Sequence, residues 1–373
     1  MSARLRVGVL GAGTVGREVV RALLERPDDL HPSDGAALQL TAIAVRDVGR
    51  AVEAGLPASM LSDAPAHLVA DDEIDVIVEL MGGDEPAHTL IAAALAMGKS
   101  VVTANKHVIA HHGADLETIA RRTGAMLRFE AAVGAGIPVL GPLAADLAAN
   151  RVDRVRGIVN GTTNFILSSM TDETDPREFA AALAEAQRLG YAEADASGDV
   201  EGRDAVNKLV ILARLAFDRW LDPTAIPTRP DGADGPAGPG ITTVSLADQA
   251  EAREVGRIIR LMATASTDPD GELRAAVLPT AVPLDSALGR TAGVSNRVEI
   301  DAWPVGRIGF DGPGAGGAAS SSAVLADLIA IAREAGSTWG PRREAPPPSG
   351  DPIRRPDAEL LVTTSGIQYP IDD

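Results

Sequence analysis

Cysteine is absent from all 373 residues. Its absence excludes disulfides, thiolate-bound zinc and acyl transfer through a thiol, including aldehyde oxidation by way of a thioester. Lysine is nearly absent too. Of thirty-four basic residues only Lys99, Lys106 and Lys208 are lysines, and the rest are arginine. A guanidinium stays charged in any protein, whereas an ammonium can give up its proton when buried or crowded by charge. Two lysines therefore stand out as places where a proton moves: Lys106 in Val-Val-Thr-Ala-Asn-Lys and Lys208 in Gly-Arg-Asp-Ala-Val-Asn-Lys. Aromatic residues make up 3% of the chain, so Ala, Val, Leu and Ile must fill the core. Positive charge is also in deficit, and a net charge of -18 argues against nucleic acid or an anionic membrane as partner. No apolar run reaches membrane-spanning length, Arg214 breaking the longest one. The N-terminus enters a strand-like run directly, with no secretory apolar region, so a cytoplasmic location is expected.

What is present begins with a rhythm. A β-branched and aliphatic run, Arg4–Leu10, leads into Gly11-Ala12-Gly13-Thr14-Val15-Gly16 and then a helix-like segment over 17–25. Strand, Gly-x-Gly-x-x-Gly, then helix is the context a dinucleotide fingerprint requires. The first glycine permits the tight turn, the second lets backbone approach a pyrophosphate, and the third lets helix pack on strand. Strand-like runs at 38–45, 75–80, 100–103 and 126–130 alternate with helical runs at 86–97 and 115–123. Such alternation predicts a parallel, doubly wound Rossmann-like sheet.

After about residue 138 the rhythm changes. Helical stretches at 142–149, 177–189 and 204–217 mix with strand-like runs at 152–159, 272–279 and 296–305. This predicts an α+β second domain. Residues 222–240 read as a Pro/Gly-rich surface loop, and 311–317 as a second glycine-rich loop before a helix over 322–335. The tail from 340 reads as irregular, with a short strand at 360–364. The expected division is 1–137 for the dinucleotide-binding domain, completed by about 311–338, then 138–310, then a tail over 339–373.

The densest chemistry lies between Gly190 and Lys208, where Tyr191, Glu193, Asp195, Asp199, Glu201 and Asp204 precede a helix that is apolar nearly all round. Asp204 and Lys208 are four apart and share one face. A surface ion pair there would be worth tenths of a kcal/mol (about 0.3–0.5) and would give no reason to begin a buried helix. Acids and a lysine converging at that end point to a pocket for an ammonium-bearing substrate.

Five segments together resemble the homoserine dehydrogenases, in family order over roughly residues 5–335. They are the stretch from Gly190 to Lys208, the run ending at Lys106, Gly157-Ile-Val-Asn160-Gly-Thr162-Thr163-Asn164, Glu130-Ala-Ala-Val133-Gly-Ala135-Gly-Ile137-Pro, and Gly312-Pro-Gly314-Ala-Gly316-Gly317. The resemblance implies reversible hydride transfer between a nicotinamide and aspartate 4-semialdehyde, giving L-homoserine, in threonine and methionine biosynthesis. It implies Lys208 as proton donor and acceptor, with Lys106 sharing proton transfer or holding the oxygen, and Asp204 completing the catalytic group. Glu193, Asp199 and Asp204 are implied as substrate-binding, with Tyr191, Thr162 and Thr163 as further contacts. Cofactor contacts are implied at Gly11, Ala12, Gly13, Thr14, Val15, Gly16, Arg46, Thr103, Lys106, Gly190, Gly314 and Gly316. The loop at Glu130, Val133, Ala135 and Ile137 is implied to hold sodium or potassium, Glu130 through a side-chain oxygen and the others through main-chain carbonyls.

Arg46 and Arg50 after the second strand favour the 2′-phosphate of NADP, while Asp47 leaves NAD open. The pattern departs from the family at Ala196, where Pro is usual, and at Ala318-Ala-Ser-Ser-Ser322, which replaces a Pro-Thr-containing run. A short form without a C-terminal ligand-binding domain is expected, hence no feedback through one, and no preceding kinase segment. Relatives pair through the second domain, so a homodimer is expected. The histidines at 107, 111 and 112 suggest zinc only weakly, since no thiolate accompanies them. The competing readings are another Rossmann-fold amino-acid aldehyde or imine reductase, and a nucleotide sensor without turnover.

Overall fold

A computed structural model describes residues 4–172, 174–229 and 238–373. Two units emerge: Met1–Asp146 with Ala315–Pro347, and Leu147–Gly314 with Pro348–Asp373. The sequence had put the boundary at 137/138 and set the tail apart. In the structure the last residues pack with the second unit instead.

The first unit holds six strands, β1 (Arg4–Leu10), β2 (Ala37–Ala44), β3 (Leu61–Ser62), β4 (Val76–Glu79), β5 (Ser100–Thr103) and β6 (Leu127–Arg128). They form one parallel sheet in the order β3-β2-β1-β4-β5-β6. Its helices are α1 (Thr14–Glu25), α2 (Val48–Glu53), α3 (Pro65–Ala70), α4 (Ala87–Ala96), α5 (Lys106–Thr123) and α6 (Leu140–Ala144). The strand order reverses between β1 and β4, and open parallel sheets bind their ligands outside the carboxyl ends of strands at such a switch. Val7 and Val9 of β1 pack with Val19, Val20 and Leu23 of α1 in one apolar cluster. These are the aliphatic residues that a chain poor in aromatics must use.

Three sequence expectations need correction here. The helix expected from 115 begins at Lys106, because the Asn105 side chain caps it by accepting from Val108 N. The strand expected over 126–130 shrinks to Leu127–Arg128, with Glu130 in a 3₁₀ turn. The helix expected over 142–149 is instead Leu140–Ala144, started by Glu130, whose carboxylate accepts from the amides of Val139, Leu140 and Gly141.

The second unit contains β7 (Arg151–Ile158), α7 (Gly161–Met170), α8 (Phe179–Arg188), α9 (Ser197–Val200), α10 (Arg203–Phe217), α11 (Leu246–Glu254), β8 (Arg257–Thr267), β9 (Leu273–Pro283), α12 (Ala287–Arg290), β10 (Ser295–Trp303) and β11 (Gly306–Pro313). Five strands pair antiparallel in the order β11-β10-β7-β8-β9. The chain then returns to the first unit as α13 (Gly317–Ala332) and ends in the second with a hairpin of β12 (Leu360–Val362) and β13 (Gln368–Pro370). Fully buried Tyr369, an Ile371 bridge to Ala281, and Asp372 paired with Arg154 and Arg156 fasten that tail to the sheet. Residues 342–359 carry no regular element and lead into β12, as expected of an irregular tail ending in a short strand.

Residues 311–313 likewise belong to strand β11 rather than to a loop. Of the loop expected over 222–240, residues 230–237 lie outside the described residues; 223–225 form a 3₁₀ turn. No helix among the described residues is long and apolar enough to cross a membrane.

Candidate active site

The glycine turn between β1 and α1 is built for close approach. A Cβ on Gly11 would stand 2.7 Å from the Leu80 carbonyl oxygen, and one on Gly16 would stand 2.1 Å from the Gly11 oxygen. At Gly13 a Cβ would meet nothing within 4 Å, so this face of the turn is open. Gly13 caps α1 without a side-chain hydrogen bond. The first amides of a twelve-residue helix thus lack a side-chain acceptor, the arrangement that binds phosphate. Ala12, Thr14 and Val15 form the rim, and a Cβ at Gly317 would lie 2.8 Å from the Thr14 oxygen. The late glycines therefore reach the fingerprint through α13. Gly316, at φ 128, is the residue that starts this helix. Gly314 falls in the second unit, tight against Asn296.

Thr103 stands differently from the sequence expectation. It is fully buried, its hydroxyl donating to Glu79 Oε2 at 2.6 Å. Its hydroxyl is engaged by that neighbour. Gly190 ends α8 with φ 78, and Tyr191 N donates to Ala186 O at 2.8 Å, so its visible task is a helix stop. At the end of β2, the Asp47 carboxylate accepts from Arg50 N at 2.9 Å and caps α2. Arg46 and Arg50 remain exposed beside it.

In the second unit, the end of β7, the start of α7, the short α9 and the first turns of α10 bring four polar residues together. Lys208, only 7% exposed, donates from Nζ to Asp204 Oδ2 at 2.7 Å and to Val159 O at 2.6 Å. Asn160 donates from Nδ2 to Asp199 Oδ1 at 2.7 Å and to Asp204 Oδ2 at 2.8 Å. The same side chain caps α7, its Oδ1 accepting from Thr163 N. Burial pushes the Asp199 carboxyl above the usual range; the Asn160 hydrogen bond opposes this and nearby Asp204 adds to it.

Asn160 is the residue that sequence reasoning did not select. Its position two residues before a Thr-Thr-Asn-Phe helical run was the available signal, since Asn is a preferred N-cap. Thr162 donates to Tyr191 O at 2.7 Å, and Thr163 donates to Asn160 O at 3.1 Å while almost fully buried. Both hydroxyls are thus used internally, and Thr163 serves the cap. Tyr191 is exposed, its ring edge-on to Phe165 at 5.1 Å. Glu193 is exposed at the same loop.

The Glu130 loop departs from expectation as well. Its carboxylate is committed to three amide donors, and these present partial positive charge where a cation would need oxygen. Burial, then Asp327, push that carboxyl upward. A side-chain ligand at Glu130 therefore does not fit; Val133, Ala135 and Ile137 contribute only main chain. The histidines gather on α4 and α5, His88 stacking on His112 at 3.8 Å and His112 Nε2 lying 2.8 Å from Asp84 Oδ1. Among the described residues no group of three or more His, Asp or Glu side chains is arranged to hold a metal ion.

Residues 11–130 match the family model described as homoserine dehydrogenase, NAD binding domain, and residues 138–329 match the homoserine dehydrogenase model. The Corynebacterium glutamicum homoserine dehydrogenase is 42% identical over 331 residues, 88% of this chain and 72% of the relative. Among solved structures, a Thiobacillus denitrificans homoserine dehydrogenase superposes with TM-score 0.84 at 36% identity, covering 96% of this chain and 82% of that one. A hyperthermophilic archaeal homoserine dehydrogenase in complex with NADPH gives 0.71 at 27% identity, covering 88% and 97%. Two family models in register with a glycine cradle and a lysine–carboxylate cluster leave one conclusion: the chain belongs to the homoserine dehydrogenases, NAD(P)-dependent oxidoreductases acting on a CH–OH group.

Proposed function

We propose that this protein interconverts L-homoserine and L-aspartate 4-semialdehyde with NADP as cofactor, Lys208 Nζ exchanging the proton at the substrate oxygen. The observation that carries this reading is the buried Lys208–Asp204 pair, held by Asn160 within the segment that matches the homoserine dehydrogenase model. The bound nicotinamide supplies the hydride chemistry. Asp204 keeps Lys208 oriented, and Glu193 with Asp199 takes the ammonium end of the substrate. Lys106, at the first turn of α5, shares the proton or holds the oxygen in place. Thr162 and Tyr191 shape the loop around the substrate.

NADP is preferred in this reading because Asp47 is occupied as a helix cap while Arg46 and Arg50 remain exposed for a 2′-phosphate. An absorbance assay with homoserine and each nicotinamide in turn tests both claims. Arg46→Ala should raise KM for NADP by about tenfold, roughly 1.4 kcal/mol, and leave KM for NAD nearly unchanged. A parallel rise for both nucleotides would refute the phosphate role; absence of turnover in the wild type would refute the function. A monovalent cation, if it takes part, sits on the main-chain oxygens of Val133, Ala135 and Ile137. Replacing potassium by choline in the same assay reads its contribution. We also propose a homodimer formed through the second unit.

The raised Asp199 carboxyl gives a pH signature. A carboxyl with a raised pKa takes up its proton at a higher pH than an ordinary aspartate, and it then no longer offers a charge to the substrate ammonium. KM for homoserine should rise on acidification before the usual aspartate range is reached, and Asp199→Asn should flatten that rise. An unchanged profile in the variant would remove Asp199 from the binding group.

A further inference from the structure

Glu79 is the last residue of β4 and is fully buried. Its described hydrogen-bond donors are all neutral. Oε2 accepts from the Thr103 hydroxyl at 2.6 Å, while Oε1 accepts from Met81 N at 2.7 Å and Gly82 N at 3.2 Å. Burying a carboxylate among neutral donors is costly, so a gain elsewhere must offset it. The gain is the shape of one turn. Gly82 and Gly83 have φ 71 and 76, and a Cβ on either would meet nothing within 4 Å. No neighbour crowds the glycine positions, and the Glu79 carboxylate holds the turn through the Met81 and Gly82 amides. On its far side the turn is tied again, Asn105 Nδ2 donating to Gly83 O at 2.8 Å while Asn105 N donates to Thr103 Oγ1 at 2.9 Å. Glu79, Thr103 and Asn105 thus form a closed ring of hydrogen bonds around residues 81–83, and Asn105 immediately precedes Lys106.

The position of this ring gives it a task. In register, Glu79 lies beside Leu10 of β1 on one side and Thr103 of β5 on the other, at the carboxyl ends where the strand order reverses. The Leu80 oxygen lies within 2.7 Å of where a Cβ on Gly11 would stand, so the turn directly adjoins the fingerprint. A dinucleotide in such a crevice places its pyrophosphate at the fingerprint and its adenosine ribose towards the end of β2. Its other half must then lie on the β4 side.

We propose that Glu79 is a positioning residue for the nicotinamide half of the cofactor, acting through the 81–83 turn and, by way of Thr103 and Asn105, on the start of α5. This deepens the proposed function and rests on it. The test is direct nucleotide binding to the whole protein, followed by fluorescence for NADPH and by calorimetry for 2′,5′-ADP, which carries only the adenosine half. Glu79→Met keeps length but leaves three donors without an acceptor; Glu79→Gln keeps one acceptor. Glu79→Met should weaken NADPH binding at least about tenfold and Glu79→Gln by about threefold, with 2′,5′-ADP affinity and KM for homoserine unchanged in both. Equal loss for NADPH and 2′,5′-ADP would overturn the proposal, because Glu79 would then support the whole unit. Unchanged NADPH affinity in both variants would overturn it too. Should Glu79→Met fail to fold, Glu79→Gln decides alone. A wild-type protein that binds neither nucleotide would bring down the proposed function, and this inference with it.

Discussion

Lys208→Ala should lower kcat for homoserine oxidation by about three orders of magnitude while leaving nucleotide affinity in place. General acid–base groups contribute roughly 10²–10⁴-fold, and Lys208 is the ammonium hydrogen-bonded to Asp204 in this cluster. The same substitution has a structural cost. Lys208 and Asp204 have side chains 9% and 11% exposed, and removing the cation takes a charged partner from a buried carboxylate that Asn160 also holds. A loss of about 3 kcal/mol in stability is expected. Activity must therefore be measured well below the variant's melting temperature, with circular dichroism and a nucleotide titration alongside. A folded variant with near-normal kcat would remove Lys208 from proton transfer.

The second large effect is at Lys106, where the charge can be kept while proton release is taken away. Lys106→Arg retains a cation at the first residue of α5, and the Asn105 cap that fixes this helix end is untouched. An arginine does not give up its proton at physiological pH. If Lys106 shares proton transfer, kcat should fall by about a hundredfold with little change in KM for either substrate. Wild-type kcat in this variant would show that charge and position alone are used there. The two variants separate the lysines by kind of contribution, since only one of them preserves the charge.

Much of the first unit was legible because its signals are local. The run Arg4–Leu10 needed only β-branched residues and a following glycine turn, and Gly11 and Gly16 each have a backbone reason to be glycine, while Gly13 leaves the face of the turn open. Failures came where a distant partner decides the outcome. The start of α5 was misplaced because Val-Thr-Ala-Asn-Lys reads as strand end and loop until the Asn105 cap is seen. Strand β8 was not expected at all. Its Arg260 is 2% exposed in an interior strand, with Nη1 donating to Ser168 Oγ and Nη2 to the Gly289 oxygen. Burial pushes that guanidinium down to about 10, neighbouring Arg253 adding to the effect. An arginine in the middle of an apolar run reads as surface until those partners are known.

Residue type alone determined which chemistry was possible: no thiol, two isolated lysines, acids crowded before a buried helix, and glycines where backbone must come close. Composition and spacing carry that information because it depends on atoms within a few residues of one another. Tertiary structure decided the assignments. It placed the Glu130 carboxylate on a helix start, withdrew Thr103 and Thr163 from the surface, and brought forward Asn160 and Glu79, whose partners lie up to 44 residues away. A side chain's partners across such separations are set by how strands and helices pack, and periodicity along the chain does not record them.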